Sequence, residues 1–344
     1  MELNRYMKRC LELAQKALGR VAPNPLVGSV IVHGNSIIGE GYHNIYGGPH
    51  AEVNAINSVQ RRDLLKTSTL FVNLEPCAHF GKTPPCADLI IESKIPRVVV
   101  AMCDPNPLVS GRGIERMKNA GIEVIEGICE AEAHRLNRRF LTHQLEKRPY
   151  IILKWAQSAD GFMDRERANN ANPEINWISH PRTKKLVHLW RSQEQAILVG
   201  KQTIINDNPQ LDTREIDGPS PLRIILAGDA AIPANAKVLT DGNPTLLFNT
   251  ERSEIKGAAE WIKTEKNNLT EVLKNLSERR ISSILVEGGA KILSNLIAQD
   301  LWDEARIIQS ESILTSGLKA PAIDLRNSHA EMYGSDKIST VFRE

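Results

Sequence analysis

Residues 75–86 read Glu75-Pro76-Cys77-Ala78-His79-Phe80-Gly81-Lys82-Thr83-Pro84-Pro85-Cys86, and they follow a predicted strand over 69–72. Upstream, His50-Ala51-Glu52 stands at the start of a helix that apolar spacing predicts for 51–60. Cys86 opens a second predicted helix, over 86–93. One imidazole and two thiolates suit a tetrahedral Zn²⁺ whose fourth position is open to water. The stretch therefore predicts an α/β domain with a zinc site at the ends of its helices.

Glu52 has a different predicted role, because a carboxylate two residues from the histidine need not bind the metal. It can instead carry protons between a metal-activated water and a substrate. The alternatives are a closed structural zinc site, or two buried cysteines beside a surface His-Ala-Glu. The remaining cysteines lie in helix or strand patterns and are predicted to be small buried residues: Cys10, Cys103 and Cys129.

Composition narrows the class of protein. The 344 residues carry a formal net charge of +2, with 41% hydrophobic and 24% charged residues. These values predict a soluble globular protein of two domains, or of one large domain, and argue against a general nucleic-acid binder. No stretch approaches the roughly 20 apolar residues of a membrane span, and the N-terminus lacks a signal-peptide core. The five cysteines, all before residue 130, indicate a cytoplasmic protein without a disulfide framework.

Residues 146–149 are the predicted linker, because the alternation of strands and helices restarts beyond them. Before the linker, a single long helix is predicted from about Glu130 to about Leu145. After it, the predicted strands cover 150–156, 196–200, 223–228, 245–249, 283–287 and 304–309. The predicted helices cover 181–192, 269–279 and 290–299. Such alternation predicts a mainly parallel sheet with helices on both faces.

Gly288-Gly289 lies between a predicted strand and a predicted helix. Small residues there let backbone N–H groups approach a pyrophosphate at the positive end of the helix. However, Gly-Gly is common in turns, and no G-x-G-x-x-G occurs, so a Rossmann domain is not supported. Taken alone, these residues predict only an α/β domain with a candidate phosphate-binding loop.

The first half resembles the zinc nucleobase deaminases, whose motifs are H-x-E followed by P-C-x-x-C. Here eight residues separate the two cysteines. That insertion is similar to the pyrimidine deaminases of riboflavin biosynthesis, whose second motif reads P-C-x-H-x-G-(K/R)-T-P-P-C. Pro23-Asn24-Pro25 and Asp104-Pro105-Asn106-Pro107 also resemble that family, and the resemblance covers roughly 1–145.

The resemblance implies a cytidine-deaminase-like α/β/α domain with one Zn²⁺ bound by His50, Cys77 and Cys86. It implies that Glu52 is the catalytic proton carrier. It also implies a set of substrate contacts, among which Lys82 is suited to a phosphate: Asn24, His43, His79 and Lys82.

The second half carries ordered motifs: Lys154-Trp155-Ala156-Gln157-Ser158-Ala159-Asp160-Gly161, Trp177-Ile178-Ser179, Val199-Gly200 with Thr203 and Asp207, and Val286-Glu287-Gly288-Gly289-Ala290. Over about 148–320 this order resembles the reductase domain of the same pathway and implies a dihydrofolate-reductase-like α/β fold. The implied NADPH site comprises Gln157, Trp177, Thr203, Asp207, Gly288, Gly289 and Ala290. The implied substrate site comprises Arg191, Leu211, Arg214 and Glu287, in which two arginines suit a sugar phosphate.

The chain departs from the reductase family between Asp160 and Trp177, where the family is shorter and carries a Ser-Gly. Ile175 stands where the family has a substrate-binding serine. The local substrate contacts and the strength of the reductase are therefore left open by the sequence. Asp207 is the candidate for the general acid.

Together these observations predict two domains, a zinc-dependent pyrimidine deaminase over 1–147 and an NADPH-dependent reductase over 148–344. The expected substrate is a small molecule, a diaminopyrimidinone ribosyl phosphate, which is deaminated and whose ribosyl group is then reduced to ribityl. One alternative is a deaminase of nucleic acid or of a free nucleoside. Another is a zinc deaminase whose second domain binds nucleotide or protein without chemistry. Family analogy implies a homo-oligomer that contacts neither nucleic acid nor membrane.

Overall fold

The computed structural model describes residues 2–78, 84–106, 110–167, 175–229, 231–265 and 268–343. The chain divides into two compact units, Met1–Lys147 and Arg148–Glu344, and the division falls within the predicted linker. Within the described ranges, no helix combines the length and apolar character needed to cross a membrane.

One sheet forms the centre of the first unit. Its strands are β1 (Gly28–His33), β2 (Ser36–Tyr42), β3 (Thr69–Val72), β4 (Arg97–Val100) and β5 (Glu123–Glu126). They are arranged in the order β2-β1-β3-β4-β5. β1 is antiparallel to β2 and β3, whereas β3, β4 and β5 are parallel.

Helices cover both faces of this sheet. They are α1 (Glu2–Gln15), α2 (Ala51–Ser58), α3 (Cys86–Glu92), α4 (Arg112–Asn119), α5 (Glu130–Leu136) and α6 (Arg138–Leu145), with a 3-10 helix at Arg62–Thr67. Successive strand residues point to opposite faces. Ile31 of β1 packs with Ile56 of α2, whereas the neighbouring Val30 and Val32 pack with Met7 of α1. The α/β/α arrangement predicted for this unit is therefore confirmed.

The single helix predicted from Glu130 to Leu145 is wrong, because the chain breaks at Asn137 between α5 and α6. The buried Asn137 side chain accepts a hydrogen bond from the Leu26 N–H at 2.8 Å and donates one to the Leu26 carbonyl at 3.0 Å. Asn73 donates to the same carbonyl at 2.9 Å. The break thus serves to fix the loop that carries Asn24.

The prediction of three buried structural cysteines is only partly right. Cys10 is buried in α1, but Cys103 is exposed and Cys129 is partly exposed. Cys129 has a φ of 57° immediately before α5. Both misplaced cysteines lie just beyond strands, in loops, where the apolar pattern around them no longer describes a buried face.

A larger sheet forms the second unit. The strands are β6 (Tyr150–Gln157), β7 (Phe162–Asp164), β8 (Ala196–Gly200), β9 (Leu222–Gly228), β10 (Thr245–Asn249), β11 (Glu254–Lys256), β12 (Ala259–Lys263), β13 (Ser283–Glu287), β14 (Glu304–Gln309), β15 (Leu318–Lys319), β16 (His329–Tyr333) and β17 (Asp336–Phe342). The main sheet has the order β11-β12-β10-β9-β8-β13-β6-β14-β17-β16, and β7 pairs separately with β15. From β12 to β14 the neighbouring strands are parallel, as predicted.

The helices of the second unit are α7 (Pro181–Gln193), α8 (Lys201–Asp207), α9 (Lys237–Thr240), α10 (Leu269–Glu278) and α11 (Ala290–Ala298). α8 follows β8 directly, and α11 follows β13 after two glycines. In a parallel sheet the carboxyl ends of neighbouring strands meet at one edge, where ligands commonly bind. β6, β8 and β13 are neighbours, so their following loops converge at such an edge.

Candidate functional site

His50, Cys77 and Cys86 converge in the first unit, although 36 positions separate the first from the last. Their ligand atoms all lie within 4.8 Å of one another. His50 Nδ1 is 3.3 Å from Cys86 Sγ and 3.7 Å from Cys77 Sγ. His50 immediately precedes α2 and Cys86 is the first residue of α3, so each of these two ligands is held at the end of an element.

The three side chains fit a zinc ion by distance and by charge. Ligands about 2.0–2.3 Å from a tetrahedral ion lie about 3.5 Å apart, close to the separations found here. The hydrogen bond between the thiols lowers the pKa of Cys77 and raises that of Cys86, so the pair without a cation resists a second ionisation. One imidazole and two thiol groups with ligand atoms within 4.8 Å of one another are a donor set that suits Zn²⁺.

Glu52 lies in the first turn of α2, two residues from His50, and is only 3% exposed. Burial first, and then the negative charge of Cys77, raises its pKa to about 7. The fourth member of the motif is therefore beside the cluster but is not one of its three ligand residues. A buried carboxyl group in this position is suited to carry protons.

Asn24 and His43, both predicted to contact substrate, form one hydrogen-bonded unit. His43 Nδ1 is 3.0 Å from the Pro49 carbonyl oxygen, and its Nε2 is 3.1 Å from Asn24 Nδ2. A carbonyl oxygen only accepts, so Nδ1 carries the hydrogen and Nε2 accepts from Asn24. Burial lowers the pKa of His43, which favours this neutral form. Its ring meets that of His50 edge-on at 5.7 Å.

The other two predicted substrate residues of this unit, His79 and Lys82, lie outside the described residues. Of the four predicted substrate contacts in this unit, the structure therefore describes two, Asn24 and His43.

Glu75 is a positioning residue that the motif analysis quoted without a role. Its buried carboxylate accepts N–H groups of Gly111 and Gly113, each at 2.9 Å. These bonds tie the chain just before Cys77 to the N-terminus of α4. A side chain at Gly113 would clash with the Pro76 carbonyl oxygen, so the close approach needs glycine. The sequence feature that could have indicated this role is the acidic side chain of Glu75 at the end of a largely apolar stretch.

The second unit contains a cavity of about 300 Å³ at the carboxyl ends of its central strands. Most of the predicted reductase residues line it: Trp177, Arg191, Thr203, Asp207, Leu211, Arg214, Glu287, Gly288, Gly289 and Ala290. Gln157 is not among the lining residues; its Oε1 instead accepts a hydrogen bond from the Trp155 indole at 2.8 Å.

A buried ion-pair group lies at one side of this cavity. Arg191 makes a bidentate pair with Glu287, with Nε–Oε1 at 2.6 Å and Nη2–Oε2 at 2.8 Å. Lys154 Nζ is 3.5 Å from the same carboxylate. Burial alone would raise the pKa of Glu287, but the two cations outweigh it and hold that pKa at about 2. Burial lowers the pKa of Lys154. The sequence motifs did not predict a role for this lysine in the site.

The glycine pair before α11 has the conformation that a close approach requires. Gly288 and Gly289 have φ values of 100° and 75°, which side chains rarely adopt. Gly288 faces Thr203, whose Oγ1 would lie 3.5 Å from an added Cβ. The pair lines the cavity immediately before the N-terminus of α11, the position in which its sequence predicted a phosphate-binding loop.

The segment that departs from the reductase family is anchored by an ion-pair group. Arg167 bonds Asp164 at 2.6 Å and Asp207 at 3.1 Å. Asn176 also donates to Asp164, at 3.1 Å. Burial raises the pKa of Asp207 to about 6 despite the opposing charge of Arg167. Ile175 lines the cavity and is 38% exposed, so a hydrophobic side chain faces solvent at this point of the lining.

The folds and sites together define a two-domain enzyme class, in which a zinc deaminase unit precedes an α/β reductase unit. Family comparisons agree with this class. Residues 1–102 match the cytidine and deoxycytidylate deaminase zinc-binding region. Residues 149–328 match the RibD C-terminal domain.

Similar proteins narrow the class to one family. Riboflavin biosynthesis protein RibD of Aquifex aeolicus is 42% identical, covering 94% of this chain and 90% of that protein. RibD of Escherichia coli is 35% identical, covering 90% of this chain and 88% of that protein. A Thermotoga maritima diaminohydroxyphosphoribosylaminopyrimidine deaminase/5-amino-6-(5-phosphoribosylamino)uracil reductase superposes with a TM-score of 0.88 at 39% identity, over 98% of both chains. This chain belongs to the RibD family of bifunctional deaminase–reductases.

Proposed function

We propose that the first unit deaminates a diaminopyrimidinone ribosyl phosphate and that the second reduces the ribosyl group of the product to ribityl with NADPH. The observation that carries the proposal is the cluster of His50, Cys77 and Cys86 beside the buried Glu52. A structural zinc site has no need of a buried carboxyl group next to its ligands. Membership of the RibD family supplies the substrate class.

In the first unit, one Zn²⁺ would be held by His50, Cys77 and Cys86. When bound, zinc supplies a Lewis acid and a water of lowered pKa. Glu52 would take the proton from that water, pass it to the ring nitrogen and then help ammonia to leave. The unit formed by Asn24 and His43 would orient the pyrimidine, with His79 and Lys82 proposed as further substrate contacts.

In the second unit, the glycine pair with Ala290, together with Gln157, Thr203 and Asp207, would hold NADPH, with Trp177 beside them. When bound, the cofactor supplies a hydride for the ribosyl anomeric carbon. Because Gln157 Oε1 already accepts from the Trp155 indole, the contact proposed for this side chain is through its amide Nε2 group.

Arg191 and Arg214 would have different roles in the substrate site. Each guanidinium nitrogen of Arg191 already has an acceptor, in Glu287 or the Asp212 carbonyl. We therefore propose that Arg191 holds Glu287 in position. Arg214, whose side chain is 37% exposed and pairs only with the nearby Asp212 carboxylate among described residues, is the better partner for a phosphate. Leu211 would supply apolar contact.

Two groups lining the cavity are candidates for the proton donor that accompanies the hydride. Asp207, with its pKa near 6, is held by Arg167. Lys154 is buried, and its lowered pKa brings its charged and neutral forms closer in free energy. We favour Lys154, because it lies beside Glu287 among the proposed substrate contacts rather than among the proposed cofactor contacts.

The test is mass spectrometry on zinc-loaded protein fed the diaminopyrimidinone ribosyl phosphate, first without and then with NADPH. We expect amine to be exchanged for carbonyl oxygen without NADPH, and two hydrogens to be gained once NADPH is added. Exchange alone would overturn the reductase assignment and favour a second unit that binds nucleotide or protein without chemistry. Absence of both reactions in folded, metal-loaded protein would overturn the substrate assignment.

Quaternary structure is a separate proposal. We propose a homo-oligomer, supported by the family resemblance alone. Sedimentation equilibrium of the purified chain tests it, and a monomer at micromolar concentration would contradict it.

A further inference from the structure

His188 lines the cavity of the second unit, although no motif named it. It lies on α7, one helical turn before Arg191, and is only 2% exposed. Its Nδ1 accepts the backbone N–H of Arg214 at 3.3 Å. A ring nitrogen that accepts from an amide carries no hydrogen, so the hydrogen of the neutral imidazole is on Nε2.

The surroundings keep this imidazole neutral. Burial first, and then the positive charges of Arg191 and Arg214, lowers the pKa of His188 to about 4. Glu287 and Glu215 act in the opposite direction but do not offset these effects. The side chain therefore adds a hydrogen-bond donor to a region already rich in charge, without adding a further cation.

The Nε2–H group of His188 has no hydrogen-bond acceptor among the described residues. Among the described residues, the hydrogen bonds of His188 consist of the one between its Nδ1 and Arg214. At the wall of a cavity, a neutral N–H group without a protein acceptor is available to an acceptor atom of a ligand that enters it. The two proposed phosphate and sugar contacts, Arg214 and Glu287, line the same cavity.

We propose that His188 is a substrate-binding residue of the reductase, whose Nδ1 fixes the backbone of Arg214 and whose Nε2–H donates to an oxygen of the substrate's sugar phosphate. The proposal rests on the proposed function of this cavity. The acceptor is an oxygen of either the phosphate or a ribosyl hydroxyl group, since both present the same lone pairs to a neutral donor.

Two substitutions separate the two nitrogens of the ring. The amide of His188→Asn reaches the position of Nδ1, whereas the amide of His188→Gln reaches that of Nε2. His188→Ala removes both. We expect the alanine variant to raise KM for the deaminated substrate about three- to tenfold, as loss of one hydrogen bond would, with a smaller change in kcat. Glutamine should restore most of this loss and asparagine should not.

Binding measurements give a readout that is independent of turnover. The dissociation constant for ribose 5-phosphate should rise in the alanine variant by a similar factor, while that for NADPH stays constant. If inorganic phosphate shows the same rise, the acceptor is the phosphate; if only ribose 5-phosphate does, the acceptor is a hydroxyl. Thermal unfolding, followed by tryptophan fluorescence, verifies that each variant is folded.

Rescue by asparagine but not glutamine would overturn the proposal, because only the contact with the Arg214 backbone would then matter. An alanine variant with unchanged KM and unchanged ribose 5-phosphate affinity would overturn it as well. A wild-type protein that fails to oxidise NADPH with the deaminated substrate would instead overturn the proposed function. In that case ribose 5-phosphate binding alone decides the role of His188.

Discussion

Glu52 and the proposed metal ligand His50 are two neighbouring residues at the start of α2 with different proposed roles. His50 offers its Nδ1 to the cluster, whereas Glu52 is buried beside the thiols without being one of the three ligand residues. The difference between ligand and proton carrier is thus set by position on the turn. It also makes the two roles separable by experiment.

Glu52→Gln keeps the size and polarity of the side chain but removes its ability to accept a proton. We expect zinc content to remain at one ion per chain and deamination to fall by about 10²- to 10⁴-fold, the usual contribution of general acid–base catalysis. Metal analysis and ammonia release measure the two effects. Glu132→Gln, on an exposed position of α5, is the matched control and should change neither. Full deaminase activity in Glu52→Gln would contradict the assignment.

The Glu287 carboxylate illustrates a second residue-scale effect, the dependence of stability on pH. Its folded pKa of about 2 is below the value of about 4.3 in an unfolded chain. Ionised Glu287 therefore stabilises the folded state above about pH 4, and this stabilisation is lost as the pH falls toward 2. Breaking such a buried pair by removing one partner commonly costs about 3 kcal/mol.

We accordingly expect Glu287→Gln to lower the free energy of unfolding of the second unit by about 3 kcal/mol at pH 7 and by clearly less at pH 3. All five tryptophans lie after residue 150, so tryptophan fluorescence during urea unfolding reports on this unit. Glu278→Gln, at the end of α10 and exposed, is the control. A loss of stability that is equal at both pH values would show that the ion pair is not its cause.

The sequence motifs were least informative for single residues whose partners are distant along the chain. Spacing motifs singled out His50, Cys77 and Cys86, which the structure brings together, and Glu52, which it buries nearby. The roles of three further residues were not predicted, because their partners lie 26 to 133 positions away along the chain: Lys154, His188 and Glu75. A single lysine, histidine or glutamate carries no local signal of such a partner.

At the scale of elements, continuous apolar runs could be predicted as strands, whereas β17, which mixes buried and exposed residues, was missed. β8, β10, β13 and β14 occupy the predicted ranges, since each is a short apolar run that is buried nearly throughout. β11 and β16 were missed; every residue in them is exposed, so neither has an apolar pattern. α8 was missed as well, because Ile204 is its only buried residue. The central strands of the sheet can be predicted from the sequence, whereas the edge strands form through hydrogen bonding to their neighbours and cannot.

Arg167, in the segment after β7, pairs with Asp207, and its effect on the pKa of that residue can be tested. Arg167 lowers the pKa of Asp207, which burial and Asp164 raise to about 6. In Arg167→Met that opposing charge is lost, so the pKa of Asp207 should rise above 6. If the Asp207 carboxylate binds NADPH, affinity in the variant should be weaker at pH 7 and recover toward about pH 8.5. Wild-type affinity should instead decline only as the pH falls below about 6.

Fluorescence titration with NADPH across this pH range measures the shift. Arg165→Met is the matched control, because it removes a neighbouring arginine and leaves the bond between Arg167 and Asp207 in place. Identical pH profiles for wild type and Arg167→Met would contradict a role for Arg167 in setting the charge of Asp207. They would leave the segment as a structural insertion.

At the scale of the whole molecule, the two chemistries are assigned to different units. The proposed metal ligands lie between positions 50 and 86, whereas the lining of the cavity proposed for the reductase spans positions 154 to 318. All five cysteines also precede residue 130, and all five tryptophans follow it. Each activity can therefore be removed chemically and followed by a signal that belongs to one unit.

Removal of zinc by a chelator is the corresponding prediction. We expect deamination to be lost and hydrogen-exchange protection to fall around α2 and α3, since a metal bound by folded protein contributes to its stability. NADPH-dependent reduction of substrate supplied in its deaminated form should continue at its original rate. Return of one equivalent of Zn²⁺ should restore deamination, which excludes irreversible damage. Parallel loss of both activities would mean that the second unit depends on the metal, contrary to the assignment of each reaction to a single unit.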